Sequence, residues 1–161
     1  MISLVRVDNR LIHGQVVEAW LPRIRANRLL VADDEAAGNL LTRTAMGLAV
    51  QAFIEVRIEP LLKVDYVSIG LDSSRTLVLV RDIASLMGAR ERGLKLTQVN
   101  LGNIHFGVKR RRVSPSVFLS QEELDQLKML VQEGVEVEAR GVPTDVKVTF
   151  EEMKHRFEKG E

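Results

Sequence analysis

The chain reads as an α/β protein: a doubly wound, mostly parallel open sheet with helices on both faces. Three observations predict this class. Short aliphatic runs at 2–7, 29–32, 76–80 and 96–101 alternate with segments whose apolar residues fall at helical spacing. Such alternation builds a parallel sheet covered by crossover helices. The run at 76–80 is almost wholly aliphatic, as a central strand buried on both faces requires. The 161 residues are 45% hydrophobic and 28% charged, an ordinary composition for one globular domain spanning 1–161.

The elements follow in order. The first strand is Ile2 to Val7. The helix after it opens at Gly14 and carries Val16, Val17, Trp20, Leu21 and Ile24 on one face; Pro22 ends or kinks it, because its ring clashes with the preceding turn. Leu29 to Ala32 is the second strand. Asp33 or Asp34 then caps a helix from Glu35 to about Ala49, with Leu40, Leu41, Thr44 and Leu48 on its inner face. Between 53 and 58 apolar Ile54, Val56 and Ile58 alternate with Glu55 and Arg57, the pattern of a half-exposed edge strand. Pro60 suits the first turn of a helix through about Ser68.

After the strand at 76–80, Asp82 caps a helix that stops at Gly93. Leu96 to Leu101 is the next strand, finished by Gly102. A polar loop follows from Asn103 to Ser116 and carries Lys109-Arg110-Arg111-Arg112. Val117 to Leu119 is a short strand. Ser120 and Glu123 form a capping box for a helix to Gln132 with Leu124, Leu127 and Leu130 inward, and Gly134 closes it. Val135 to Ala139 alternates as a strand, and Thr149 with Glu152 caps a terminal amphipathic helix.

The chemistry concentrates in the turn between the first strand and the first helix, which carries Asp8, Asn9, Arg10 and His13 before Gly14. Loops at the carboxyl ends of parallel strands are where open sheets bind ligands, and a helix N-terminus attracts anions. An imidazole and a guanidinium there suggest phosphoryl chemistry, which asks a protein mainly for position and positive charge. A neutral imidazole is a competent nucleophile at cytoplasmic pH, and Arg10 can grip two phosphate oxygens. Asp8 either accepts from the imidazole or holds Arg10 in place.

Asp8-Asn9-Arg10-Leu11-Ile12-His13-Gly14-Gln15-Val16 resembles the active-site loop of enzyme IIB of the mannose/sorbose-type sugar phosphotransferase system. Val31-Ala32-Asp33-Asp34-Glu35, Val99-Asn100-Leu101-Gly102 and Val142-Pro143-Thr144-Asp145 match the same family in order. One departure is Asn9, where many relatives are expected to carry a second aspartate. The resemblance implies that His13 is phosphorylated, at Nδ1, without a metal or other cofactor. It implies a phosphorylated IIA protein as donor and a sugar held by the membrane IIC/IID permease as acceptor. It also suggests a homodimer. Asp34, Asn100, Gly102, Thr144 and Asp145 follow strands within the matching stretches and become candidates to line the site. His105, three residues after Gly102, is a further candidate to face the same cleft.

Other functions find less support. Neither a P-loop nor a GxGxxG fingerprint occurs. The three histidines lack metal-ligand spacing, and the absence of cysteine excludes disulfides and thiolate sites. A net charge of +1 and 4% aromatic residues argue against nucleic acid as a partner. The basic run at 109–112 is read as a solvated loop or as a surface for an acidic partner. No basic-then-apolar signal pattern opens the chain and no apolar run is long enough to span a bilayer, which predicts a cytoplasmic protein that meets the membrane through its permease. A regulatory protein that reports phosphorylation state without moving sugar is the alternative function.

Overall fold

The computed structural model describes residues 1–160. Its centre is a seven-stranded sheet in the order β3-β2-β4-β1-β5-β8-β9. The strands are β1 (Ile2–Asp8), β2 (Arg28–Ala32), β3 (Glu55–Glu59), β4 (Thr76–Val80), β5 (Gln98–Asn103), β8 (Glu136–Ala139) and β9 (Val148–Thr149). All neighbours are parallel except β8 and β9. The four aliphatic runs are therefore adjacent parallel strands. The alternating segment is an edge strand, and β4 is wholly buried.

Side chains two apart along a strand share a face, and β1 feeds two cores accordingly. Leu4 joins Leu29, Val31, Leu77 and Leu79 beneath Val16, Val17, Trp20 and Leu21 of the first helical segment. Val5 and Val7 point the other way, toward Ile83 and Leu86 of α5 (Ile83–Glu91), Leu127 and Leu130 of α6 (Gln121–Gln132), and Met153 and Phe157 of α7 (Phe150–Lys159). Helices thus cover both faces. Both capping boxes form, at Ser120 with Glu123 and at Thr149 with Glu152. Gly93 and Gly134 close their helices at positive φ, 104° and 93°.

Of the two outcomes expected at Pro22, the first helix does not end there. The chain winds as a π-helix over Val16–Trp20 and then as α1 (Leu21–Ile24), with Pro22 in the first turn of α1. A wider turn before a proline accommodates its missing N–H and its bulk, so the helix runs on past Pro22 and stops at Arg25, φ 52°.

Three other segments correct the sequence reading. The helix expected from Glu35 to Ala49 is two helices, α2 (Asp34–Gly38) and α3 (Leu40–Leu48). Asn39 is extended between them and its side chain accepts from Thr42 N at 2.9 Å, restarting the helix in a new direction. Leu40, Leu41 and Leu48 consequently face outward, 74%, 80% and 82% exposed, and Thr44 is exposed with them; Val50 and Ile54 fill the core instead. The helix expected after Pro60 divides into a 3-10 turn (Leu61–Lys63) and α4 (Tyr66–Leu71), because Val64 is extended and buried and Asp65 supplies a fresh cap. The strand expected at 96–101 is shifted to Gln98–Asn103, so Gly102 lies inside it.

A further correction concerns the expected loop 103–116. It contains β6 (Arg111–Ser114), antiparallel to β7 (Val117–Leu119). The basic run is held by intramolecular partners. Arg110 pairs with Glu123 at 2.6 Å, Arg111 lies over the Phe157 ring, and Arg112 lies over Phe118.

The outward face of α3 yields a stability test. Leu41→Ala and Leu48→Ala should each change unfolding free energy by no more than about 0.5 kcal/mol in urea titrations. Leu127→Ala, at a fully buried position, should cost roughly 2–5 kcal/mol. Comparable losses at all three positions would restore the inward reading of α3.

Candidate functional site

The site forms where β1 ends between β4 and β5. Asp8 O accepts from Leu11 N at 3.0 Å, closing a tight turn over Asp8–Leu11. Leu11 takes up a left-handed conformation, φ 57°, yet its side chain is only 1% exposed. A non-glycine residue there costs on the order of 1–3 kcal/mol, so burial of the leucine holds the turn in a shape its backbone resists. His13 follows immediately, its carbonyl accepting from Val16 N and Val17 N at 3.0 and 3.1 Å. The first N–H groups of a helix lack intrahelical acceptors, and a Cβ at Gly14 would meet no atom within 4 Å. The helix start is open.

Asp8 is the hub. Its Oδ2 accepts from His13 Nε2 at 2.9 Å, Arg6 NH2 at 2.9 Å and Arg10 NH2 at 3.2 Å. Its Oδ1 accepts from the Arg10 backbone N–H at 3.0 Å and from Arg10 Nε at 3.2 Å. Both roles left open for Asp8 are filled at once. Burial pushes the carboxyl pKa up, but the hydrogen bonds from His13 and Arg10 and the charge of Arg6 outweigh it and hold Asp8 at about 2. An ionised carboxylate only accepts, so His13 Nε2 carries the proton in this contact. No hydrogen bond reaches Nδ1 among the described residues. The His13 side chain is 17% exposed and that of Arg10 42%. Arg10 NH2 also donates to Gln15 Oε1 at 3.0 Å.

Beneath Asp8 lies Arg6, which the sequence reading did not single out. It is fully buried and donates through NH1 to Asn100 Oδ1 and to the Arg140 carbonyl at 3.1 Å, and through NH2 to Asp8 and the Gly141 carbonyl at 3.0 Å. Burial lowers its pKa against the opposing pull of Asp8. A Cβ at Gly102 would lie 2.1 Å from its Cζ, so Gly102 makes room for the guanidinium. Asn100 Nδ2 passes the network to buried Glu138 at 3.0 Å, which pairs with Arg140. Trp20 lies against both arginines and donates to Gly141 O at 2.8 Å. An arginine within an otherwise apolar strand was the available signal.

The other candidates divide. Asn9 belongs to the cluster's flank: its backbone N–H donates to Asn103 O at 3.1 Å, its Oδ1 accepts from Asn103 Nδ2, and its Nδ2 lies 2.9 Å from His105 Nδ1. Arg81, also unforeseen, reaches Asn9 O at 3.4 Å and pairs with Asp33 at 2.7 Å. Asp33 is the helix cap. The structure does not bring Asp34 to His13; its Oδ1 accepts from Leu61 N at 2.8 Å. Asp145 closes the turn at 142–145 by accepting from Val142 N at 3.0 Å, and Thr144 is exposed on that turn. No group of three or more potential metal ligands occurs among the described residues.

A histidine presented at the carboxyl edge of a doubly wound sheet, amid arginines, suits phosphoryl chemistry, and comparison with known proteins identifies the family. The family model described as the sorbose subfamily IIB component of the phosphotransferase system (PTS) matches residues 2–161, and the chain belongs to that family. It is 31% identical to the N-acetylgalactosamine-specific phosphotransferase enzyme IIB component 1 of Escherichia coli K12, over 91% of this chain and 94% of that protein. It is 27% identical to the mannose-specific EIIAB component of the same organism, over 99% of this chain and half of that longer protein. The crystal structure of the IIBSor domain of the Klebsiella pneumoniae sorbose permease superimposes with a TM-score of 0.85 at 22% identity, over 96% of this chain and 97% of that one. The E. coli N-acetylgalactosamine-specific IIB component 1 superimposes at 0.83 with 32% identity, over 91% and 97%. The family's work is phosphotransfer in sugar uptake, with IIA and membrane IIC and IID components as partners.

The depressed Asp8 pKa fixes the sign of a pH dependence. A carboxyl held at about 2 in the folded protein against 3.8 otherwise stabilises fully above about pH 4 and loses that contribution as pH falls through 2. The difference corresponds to on the order of 2 kcal/mol. Urea unfolding of wild type and Asp8→Asn should therefore show a stability gap near pH 6 that narrows as pH is lowered toward 2. A gap independent of pH over that range would mean that Asp8 is not held as an anion.

Proposed function

We propose that His13 accepts a phosphoryl group at Nδ1 from a phosphohistidine on a IIA protein and passes it to a sugar bound by the membrane IIC/IID permease. The observation that carries this reading is the 2.9 Å contact between His13 Nε2 and Asp8. It ties up one ring nitrogen and leaves the lone pair on the other. Attack by Nδ1 on phosphorus breaks the donor's P–N bond and returns that electron pair to the donor imidazole. The His13 ring gains positive character while keeping its Nε2 proton, and ionised Asp8 stabilises it, as the carboxylate does in a hydrolase triad. In the second transfer a sugar hydroxyl forms the new P–O bond, its proton leaves to solvent or to the permease, and His13 returns to its starting tautomer.

Arg10 supplies the electrostatic term. Exposed at the rim, it turns from Asp8 to the phosphoryl oxygens, where charge accumulates in the transition state. Gly14 and the open helix start complete the oxyanion surroundings. Asn9 holds the turn from the side, and Asn100 and Gly102 act from behind Asp8. Thr144 and Asp145 belong to the turn at 142–145, which follows the Gly141 carbonyl tied to Arg6 and Trp20. No cofactor takes part. No helix among the described residues is long and apolar enough to cross a membrane. Transfer from a IIA protein to a permease-bound sugar assigns the protein to the cytoplasm, meeting the membrane through that permease. The sugar's identity is set by that partner's pocket.

Incubation with a phosphorylated IIA protein should place an acid-labile, base-stable phosphate on His13 alone. His13→Ala should abolish it, at a stability cost of roughly 1–3 kcal/mol for the donor lost to buried Asp8. Phosphate mapped by mass spectrometry to His105 or to a serine would refute the assignment. Arg10→Lys keeps the charge but loses the two-pronged geometry, and transfer should slow by roughly ten- to a thousand-fold, about 1.4–4 kcal/mol. Transfer at the wild-type rate would remove Arg10 from the transition state.

A further inference from the structure

Two arginines hold Asp8, and their surroundings differ. Arg10 is 42% exposed in its side chain, and among the described residues its only other side-chain tie is to Gln15. Arg6 has no exposed surface and cannot touch a phosphoryl group. Its guanidinium is fixed by Asn100 and by the carbonyls of Arg140 and Gly141, lies 5.2 Å from the centre of the Trp20 ring, and fills the space that a Cβ at Gly102 would need. A buried arginine is a poor stabiliser when apolar residues could fill the same volume, whereas a buried carboxylate stripped of its partner is strongly destabilising. If Arg10 moves to the phosphoryl group, Asp8 loses three of its hydrogen bonds, two from the side chain and one from the backbone should the turn shift. The charge that remains beside it is Arg6.

We propose that Arg6 is a positioning residue, the permanent counter-ion that keeps Asp8 charged and aimed at His13 Nε2 while Arg10 transfers to the phosphoryl group. This rests on the phosphotransfer role of His13. The two guanidiniums divide the work: the buried one is immobile and serves Asp8, and the exposed one is mobile and serves the phosphate. Gly102 belongs to the same device, because only a residue without a side chain lets Arg6 lie where it does.

Gly102→Ala is the informative variant, since it keeps every charge and displaces only the Arg6 guanidinium; Arg6→Lys is its companion. The imidazole ¹⁵N–¹H spectrum of the unphosphorylated protein reports the His13 tautomer, which a purely structural tie between β1 and β5 would leave unchanged. Wild type should show the Nε2–H form alone. Gly102→Ala should show a mixture of tautomers and transfer phosphate roughly ten- to a hundred-fold more slowly, the scale of a displacement of about 1 Å in a reacting group. Its affinity for the IIA partner should remain near that of wild type. A folded Gly102→Ala protein with the wild-type spectrum and rate overturns the assignment of Arg6. Should both variants fail to fold, the guanidinium ¹⁵N signals of wild type decide: phosphorylation should shift those of Arg10 and leave those of Arg6 in place, and Arg6 shifting with Arg10 contradicts the division of roles. A wild-type chain that takes no phosphate overturns the role of His13 itself, an outcome distinct from either.

Discussion

Asp8 has no exposed surface, and an ionised carboxylate can remain at such a place only if donors meet its oxygens from within the protein. Arg6 comes from below, Arg10 from the rim, and His13 from the start of the helix. Each is then placed by the carboxylate it satisfies. The turn over Asp8–Leu11, the left-handed Leu11 and the opening of the helix at Gly14 all serve to bring these donors to one point. The histidine's orientation is thus tied to charge compensation at Asp8.

The sheet makes that arrangement possible. β1 lies between β4 and β5, so the end of β1 is flanked by residues from both neighbours. Asn103 holds Asn9 on one side, and Arg81 with Asp33 supports the Asn9 carbonyl on the other. Below, Arg6 links β1 to β5 through Asn100 and to the segment after β8 through the carbonyls of Arg140 and Gly141. The polar network therefore penetrates the layer between the first helical segment and the sheet, where an apolar contact would have packed at lower cost in desolvation. The fold retains it because the carboxylate above needs a partner that solvent cannot replace.

Much of this was legible in the sequence, and the failures have physical causes. Aliphatic runs gave the four central strands because a strand buried on both faces can carry little else. Ser120 with Glu123 and Thr149 with Glu152 gave helix starts because capping is local. His13, Arg10 and Asp8 could be picked out because polar residues at the end of an apolar strand have no packing role to explain them. Arg6 was missed because it sits inside the strand, where side-chain periodicity predicts an apolar residue and only three-dimensional contacts reveal a counter-ion. The α3 leucines misled because helical periodicity shows that a face is apolar but not which way it points; Asn39 turned it outward. The arginines at 110–112 looked like a solvated loop because their partners Glu123, Phe118 and Phe157 lie on later elements.

The central claim is that Asp8, by engaging Nε2, selects Nδ1 of His13 as the atom that carries phosphate. The most direct measurement is the one-bond ³¹P–¹⁵N coupling in the phosphorylated protein labelled with ¹⁵N-histidine. The account predicts coupling to Nδ1 of His13, with Nε2 still bearing its proton. Coupling to Nε2 would contradict it, because that nitrogen would have had to leave Asp8 to react.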